Sequence, residues 1–259
     1  VTKVTFEKCR AEKAYLYSLI LTSLLMHSID FPFDNFNFNS DSILEGLPRE
    51  DLDLLNKNMV THKYKKREIL FRDGSYPTGI YYIEKGKVKK YKTDKDGKEQ
   101  IIYLYREGEL LGYHALISEE KFTDTTETME ESIISFIPKD DFLKVIQLSP
   151  VLSNRLLKCM SHEFGVLVNG LAVFAQRTVR ERLALSLIIL RDKYKKDNTE
   201  NKPVELDLSR DDLAKFVGTA RETLVRLLHD FKEDDLIEIN GRKIILKKPL
   251  EISKIANLY

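Results

Sequence analysis

The residues with the plainest chemical potential sit close together near the end of this 259-residue chain. Arg221, Glu222 and Arg226 fall within two helical turns of one another. An arginine can grip guanine O6 and N7 with two hydrogen bonds, and a glutamate can accept from the cytosine amino group, so the trio has the chemistry of base-edge readout. Around it stand Ser209, Thr219, Thr223, Arg242 and Lys243, the hydroxyls and cations that hold phosphate oxygens, with Lys247 and Lys248 extending the basic run. No nucleophile–base pair, glycine-rich phosphate loop or His–Glu metal motif stands out, which argues against an enzyme. The two cysteines, Cys9 and Cys159, cannot build a disulfide framework, a four-cysteine zinc site or a cysteine-ligated iron–sulfur cluster, and point to a reducing, cytoplasmic setting.

The elements that must carry these residues are legible. Ser209 with Asp212 three residues on predicts a helix start, Leu213, Phe216 and Val217 give that helix an apolar face, and Gly218 ends it. Thr219 and Glu222 have the spacing of a capping box for a second helix whose apolar face is Leu224, Leu227, Leu228 and Phe231. Two short helices joined by a glycine turn make a helix-turn-helix. Two β-rich runs around Asn240-Gly241 add a hairpin, the wing of a winged helix. In such a motif the N-terminal residues of the second helix meet base edges. The blander readings are that Glu222 only closes its capping box and that Arg221 and Arg226 are solvated charges. From Pro203 to Lys248 there are nine basic and ten acidic residues, and the whole chain carries a net charge of +1. Binding must therefore lean on local arginines, the wing and a doubling of contacts in a dimer.

Upstream, residues 60–145 show short β-rich runs, Glu68–Phe71, Gly79–Glu84, Val88–Lys92, Gln100–Tyr105 and Ser132–Ile137, separated by turns such as Asp96-Gly97. Many short strands at regular spacing predict a small β-roll, jelly roll or barrel. A short helix is expected over Leu44–Asn58. After Pro150 the pattern turns helical: Leu152, Leu156, Met160, Phe164, Leu167, Leu171 and Phe174 recur at steps of four or three. Pairing of this stripe with a second copy predicts a homodimer, and packing on its own β domain is the alternative. A second helix over Thr178–Tyr194, with Leu183, Leu187 and Leu190 on one face, and a strand Val204–Leu208 lead into the helix-turn-helix. Near the start, Tyr15–Met26 is too short an apolar run to span a membrane. It fits an export signal without a cleavage site, an extra helix, or a stretch ahead of a true start at Met26, and no function is placed on residues 1–40.

Three features together carry a resemblance: Leu208–Leu228 with its Arg221-Glu222-Thr223-Leu224-Val225-Arg226 core, Gly79-Ile-Tyr-Tyr-Ile-Glu-Lys-Gly-Lys-Val, and Gly108-Glu-Leu-Leu-Gly. Over residues 44–250 the chain resembles the cyclic-AMP receptor protein and fumarate–nitrate regulator (CRP/FNR) family of bacterial transcription regulators. The resemblance implies an α+β chain divided into an extension (1–40), a β-roll effector-like domain (41–148), a dimerisation helix (149–177) and a winged helix-turn-helix (178–259). It also implies double-stranded DNA and RNA polymerase as partners. Arg-Glu-Thr-x-x-Arg matches the family's own pattern and implies a palindromic TGTGA-like site, with Thr223 on a phosphate. Val225 stands where the oxygen-sensing branch has serine. The family's nucleotide-binding cassette is altered here. Gly112, Tyr113, His114, Thr123, Asp124 and Leu167 are the candidate pocket residues, with Tyr113 in place of the ribose-binding glutamate and Thr123 and Asp124 in place of the phosphate-binding arginine and its hydroxyl neighbour. Cyclic AMP is therefore not expected, and the effector is an unknown small molecule or none. A haem or redox sensor using His114 or Cys159, and a β-roll interaction module without DNA binding, are the competing readings.

Overall fold

The computed structural model describes residues 31–195 and 204–258, so the readings placed on residues 1–30 lie outside the described residues. Residues 31–43 form a strap of two 3-10 turns, and a helix α1 (Arg49–Asn56) follows, shorter than the run expected from Leu44. Eight strands come next: β1 (Val60–Tyr64), β2 (Ile69–Phe71), β3 (Gly79–Lys85), β4 (Val88–Thr93), β5 (Glu99–Tyr105), β6 (Leu110–Leu111), β7 (Thr125–Thr128) and β8 (Ser132–Pro138), with a one-turn helix α2 (Tyr113–Ile117) after β6. They form two antiparallel four-stranded sheets, ordered β1-β8-β3-β6 and β2-β7-β4-β5. Ile83, Val88, Tyr103, Leu111 and Ile134 pack in one buried core with contributions from both sheets. The expected β4–β5 hairpin is present. Its loop is longer than Asp96-Gly97 alone, because Asp94 Oδ1 accepts from the backbone of both Asp96 and Lys98.

Helix α3 (Lys139–Leu148) leads through Ser149 into the long helix α4 (Pro150–Gln176), whose first turn Ser149 caps by accepting from the Leu152 amide. The single stripe expected along α4 divides in two. Leu152, Leu156, Cys159, Glu163 and Val166 are buried against the roll and the strap, whereas Leu157 (64% exposed), Phe164 (70%), Val168 and Leu171 (71%) face outward. Steps of four residues advance about 40° past a full turn, so a line drawn by such steps drifts from one face to the other.

Thr178 opens helix α5 (Val179–Tyr194) with a reciprocal capping box to Glu181. Residues 183–190 are buried all round rather than on one face. The helix packs against α8 (Pro249–Ile255), and its buried side chains share one core with β5 and the winged unit. That unit comprises β9 (Glu205–Asp207), α6 (Arg210–Val217), α7 (Arg221–Glu233), β10 (Ile237–Asn240), β11 (Lys243–Leu246) and α8, with the three strands ordered β10-β11-β9.

One buried polar cluster ties these parts together. Lys193, near the end of α5, is 3% exposed and donates to Glu109 Oε1 of the roll (3.0 Å), to the Tyr103 hydroxyl on β5 (2.7 Å) and to Asn37 Oδ1 of the strap (2.9 Å). Tyr103 in turn stacks on Phe38 of the strap. Arg106 donates to the Lys193 carbonyl and pairs with Asp41. Residues 31–40, which carry no function in the sequence reading, thus touch the roll, the long helix and α5 alike. Burial pulls the Lys193 ammonium down to about 8 despite Glu109 beside it.

Removing one partner of a buried ion pair strands the other in a low-dielectric site. Lys193→Ala is expected to lower the free energy of unfolding by about 3–5 kcal/mol, and the neutral pair Lys193→Met/Glu109→Gln to restore most of that loss. Urea denaturation of the three proteins measures it.

Candidate nucleic-acid interface

The helix-turn-helix is built by local chemistry. Ser209 Oγ accepts from the Asp212 amide (3.0 Å) and donates to its carboxylate (2.6 Å), which fixes the start of α6. Gly218 closes it at φ +72°, and a Cβ there would lie 2.5 Å from the Phe174 ring of α4, so both conformation and space demand glycine. The capping box expected at Thr219 does not form. The backbone amide of Thr219 is committed to the Ala214 carbonyl in the turn, and Ala220 becomes the N-cap of α7 with no side-chain cap. Glu222 is thereby left free of the capping role and is exposed.

Arg221, Glu222, Val225 and Arg226 all face outward from the first two turns of α7, and Thr223 is half-buried behind them. Arg221 Nε lies 3.5 Å from Asp211 on α6. The wing turn runs through Gly241 and Arg242, one position beyond Asn240-Gly241, because Asn240 pairs with Lys243 in the ladder. Arg210, which sequence reasoning passed over, donates to the carbonyls of both Gly241 and Arg242 (3.1 Å each) and so fixes the wing tip to the start of α6.

Ser209 and Thr219 line a cleft of about 590 Å³ between the winged unit and the roll, opposite Lys66, Arg67 and Lys98, and Arg221 reaches the rim of the same cleft. Lys89 on β4, 8% exposed, bridges Glu127 (3.1 Å) and Asp212 (3.0 Å) across this junction. Lys215 pairs with Glu99 (2.7 Å), and the Gln100 amide reaches the Phe216 carbonyl.

A second site lies in the roll. Gly112, His114, Thr123, Asp124 and Leu167 line one pocket of about 300 Å³ together with Phe38, Phe71, Lys90, Phe122 and Glu163. Tyr113 is the exception among the expected residues. It is buried behind the pocket, and its hydroxyl donates to Glu163 on α4. Asp124 sits 3.1 Å from Lys90 Nζ, so this lysine, absent from the sequence reading, already neutralises the carboxylate at the position where a nucleotide phosphate would need a cation. The residues present do not suit a cyclic nucleotide.

Glu163 Oε2 lies against His114 Nε2. Burial pushes the Glu163 carboxyl up to about 7 and pulls His114 down to about 4, with Lys90 adding to the latter. Cys159 donates to the Phe38 carbonyl, and burial pushes its thiol up to about 12, far from a reactive thiolate. Cys159 also meets the Tyr113 hydroxyl (3.6 Å) and Glu163 Oε1 (3.7 Å) in one buried cluster, whereas His114 lines the pocket.

Two family models match the chain in succession. The cyclic nucleotide-binding domain matches residues 61–149, and the Crp-like helix-turn-helix domain matches residues 181–254. The anaerobic regulatory protein of Haemophilus influenzae is 27% identical over 202 residues, covering 77% of this chain and 78% of its own length. The fumarate and nitrate reduction regulatory protein of Vibrio cholerae is 24% identical over 213 residues, covering 82% and 85%. Among solved structures, FixK2 of Bradyrhizobium japonicum superposes with a TM-score of 0.68 at 18% identity, covering 76% of this chain and 96% of that one. A cyclic-nucleotide-binding-type roll joined by a long helix to a helix-turn-helix defines a class of DNA-binding transcription regulators. Within that class the chain belongs to the CRP/FNR family.

A carboxyl whose folded pKa is raised contributes stability that is lost as pH climbs through the folded value. Glu163 therefore costs the fold stability progressively between the ordinary carboxyl range and about pH 7. Glu163→Gln is expected to be more stable than wild type by about 2 kcal/mol at pH 8 and equal to it near pH 4. Thermal unfolding across that range checks the sign.

Proposed function

We propose that the chain is a homodimeric regulator reading a palindromic TGTGA-like site without cyclic AMP. The observation that carries the DNA-reading assignment is the outward set Arg221, Glu222, Val225 and Arg226 on a helix free of a side-chain cap. Arg221, Glu222 and Arg226 read bases, and the exposed Val225 offers an apolar contact for a thymine methyl. Thr223, Arg242 and Lys243 hold phosphates. Ser209 and Thr219 join them only when the roll moves off the cleft that they line.

The dimer reading rests on the outer seam of α4. Leu157, Phe164 and Leu171 are spaced by seven, and Ser161, Val168 and Ala175 interleave at the alternating three-and-four steps of a coiled-coil pair. The divisions 41–148, 149–177 and 178–259 follow this scheme, with residues 31–40 joined to all three rather than standing apart. The pocket lined by His114, Asp124 and Leu167 is the candidate effector site. RNA polymerase as a further partner, and a cytoplasmic setting, rest on the family resemblance. Among the described residues no helix is long and apolar enough to cross a membrane.

Fluorescence anisotropy with two inverted TGTGA half-sites against a scrambled duplex tests the reading. A preference of about 1,000-fold is expected of a specific regulator, and equal binding to both duplexes would overturn this half-site. Arg226→Ala is expected to lose about 1–3 kcal/mol on the specific duplex alone. Leu171→Asp is expected to shift the protein from dimer to monomer in analytical ultracentrifugation, because it buries a charge within the seam.

A further inference from the structure

Most of the cations expected to meet DNA already face a carboxylate. Arg242 lies 3.3 Å from Asp207, and Lys243 lies 2.5 Å from Glu205, both acids on β9. Lys247 and Lys248 share Asp235 in the turn after α7, and Arg221 faces Asp211. Of Arg221, Arg226, Arg242, Lys243, Lys247 and Lys248, only Arg226 has no ion pair among the described residues, and Arg210 is engaged by the wing-tip carbonyls. The arrangement is fixed by backbone: the β9–β11 ladder sets Asp207 opposite Lys243 and Glu205 opposite Ile245. Ion pairs as exposed as these add little to fold stability, so stability does not account for their recurrence on one face.

We propose that Glu205, Asp207, Asp211 and Asp235 are specificity-determining residues, internal stand-ins for phosphate that occupy these cations until the correct duplex displaces them. The inference rests on the assignment of this face to DNA. Attraction to DNA of arbitrary sequence comes from cations that neutralise phosphates and release counterions. A cation already matched by a carboxylate gains little by exchanging it for a phosphate, and the exchange leaves a negative charge beside the duplex. Base-edge contacts from Arg226 and Glu222 escape this cost. The result is a low background with sequence readout preserved, in line with ten basic against eleven acidic residues over 204–258.

The test is anisotropy of the full chain on a random-sequence duplex between about 50 and 200 mM salt. Glu205→Gln/Asp207→Asn/Asp235→Asn is compared with wild type and with a charge-matched control on the roll, Glu107→Gln/Glu131→Gln/Asp140→Asn. The wing variant is expected to bind random DNA at least about ten-fold more tightly at the low-salt end, with a steeper salt slope that reflects the four cations set free. A duplex enriched by wild type from a random pool should gain less, so the specificity ratio falls. An unchanged random-duplex affinity and slope, or an equal rise in the control, overturns the proposal. Asp235→Asn alone, outside the ladder, gives the same direction at smaller size if the triple variant unfolds early. An enriched duplex that binds wild type no better than random DNA sinks the base-reading assignment instead, while the random-duplex arm still decides the charge matching.

Discussion

The position of every larger part depends on one ammonium group buried in the roll. Lys193, near the end of α5, reaches into the β domain and is met there by Glu109, Tyr103 and Asn37. A charge in such a site is tolerable only with its partners in hydrogen-bond geometry, so α5, β5, the loop before β6 and the strap must all keep register at once. This explains why the shared core of the winged unit runs on into Ile101 and Leu104 of β5 and Phe31 of the strap. Hydrophobic burial supplies the attraction, and the polar cluster selects which arrangement it stabilises.

The long helix answers to a second constraint. It must satisfy the roll along one face and still present an apolar face outward, and it does so with two offset seams rather than one broad stripe. Glu163 is the inner seam's polar exception. Its carboxyl links Tyr113 behind the pocket to His114 in its wall, so the pocket and the long helix share a hydrogen-bonded contact as well as apolar packing.

How far the sequence foretells this varies with the range of the interactions. The helix-turn-helix, the wing and strands β2, β3, β4, β5 and β8 are legible because Ser209, Gly218 and the alternating apolar runs act locally. Strands β1, β6 and β7 are missed: Val60–Tyr64 is mostly exposed, Leu110–Leu111 is only two residues, and Thr125–Thr128 is polar although Thr126 and Thr128 are fully buried. The capping box at Thr219 fails because the turn claims that backbone first, which spacing alone does not reveal. The residues proposed to face DNA are found by type and position. Their carboxylate partners, the Arg210 clamp and Lys90 in the pocket are not, because each joins segments separated in the chain and only the folded ladder or sheet brings them together. The strap is the clearest case, its phenylalanines having no periodicity that distinguishes them from a linker.

The bridge at Lys89 has a bearing on modularity. Because this buried lysine divides itself between Glu127 of its own sheet and Asp212 of the helix-turn-helix, neither side of the junction is self-sufficient. A winged unit grafted onto a foreign roll would arrive with Asp212 and Lys215 facing surfaces never shaped for them, and the donor roll would be left with an under-matched buried cation. The portable unit of this architecture is therefore larger than a domain boundary suggests: it includes the β4–β5 hairpin, and recombination that respects the chain's linkers but not that hairpin would be selected against.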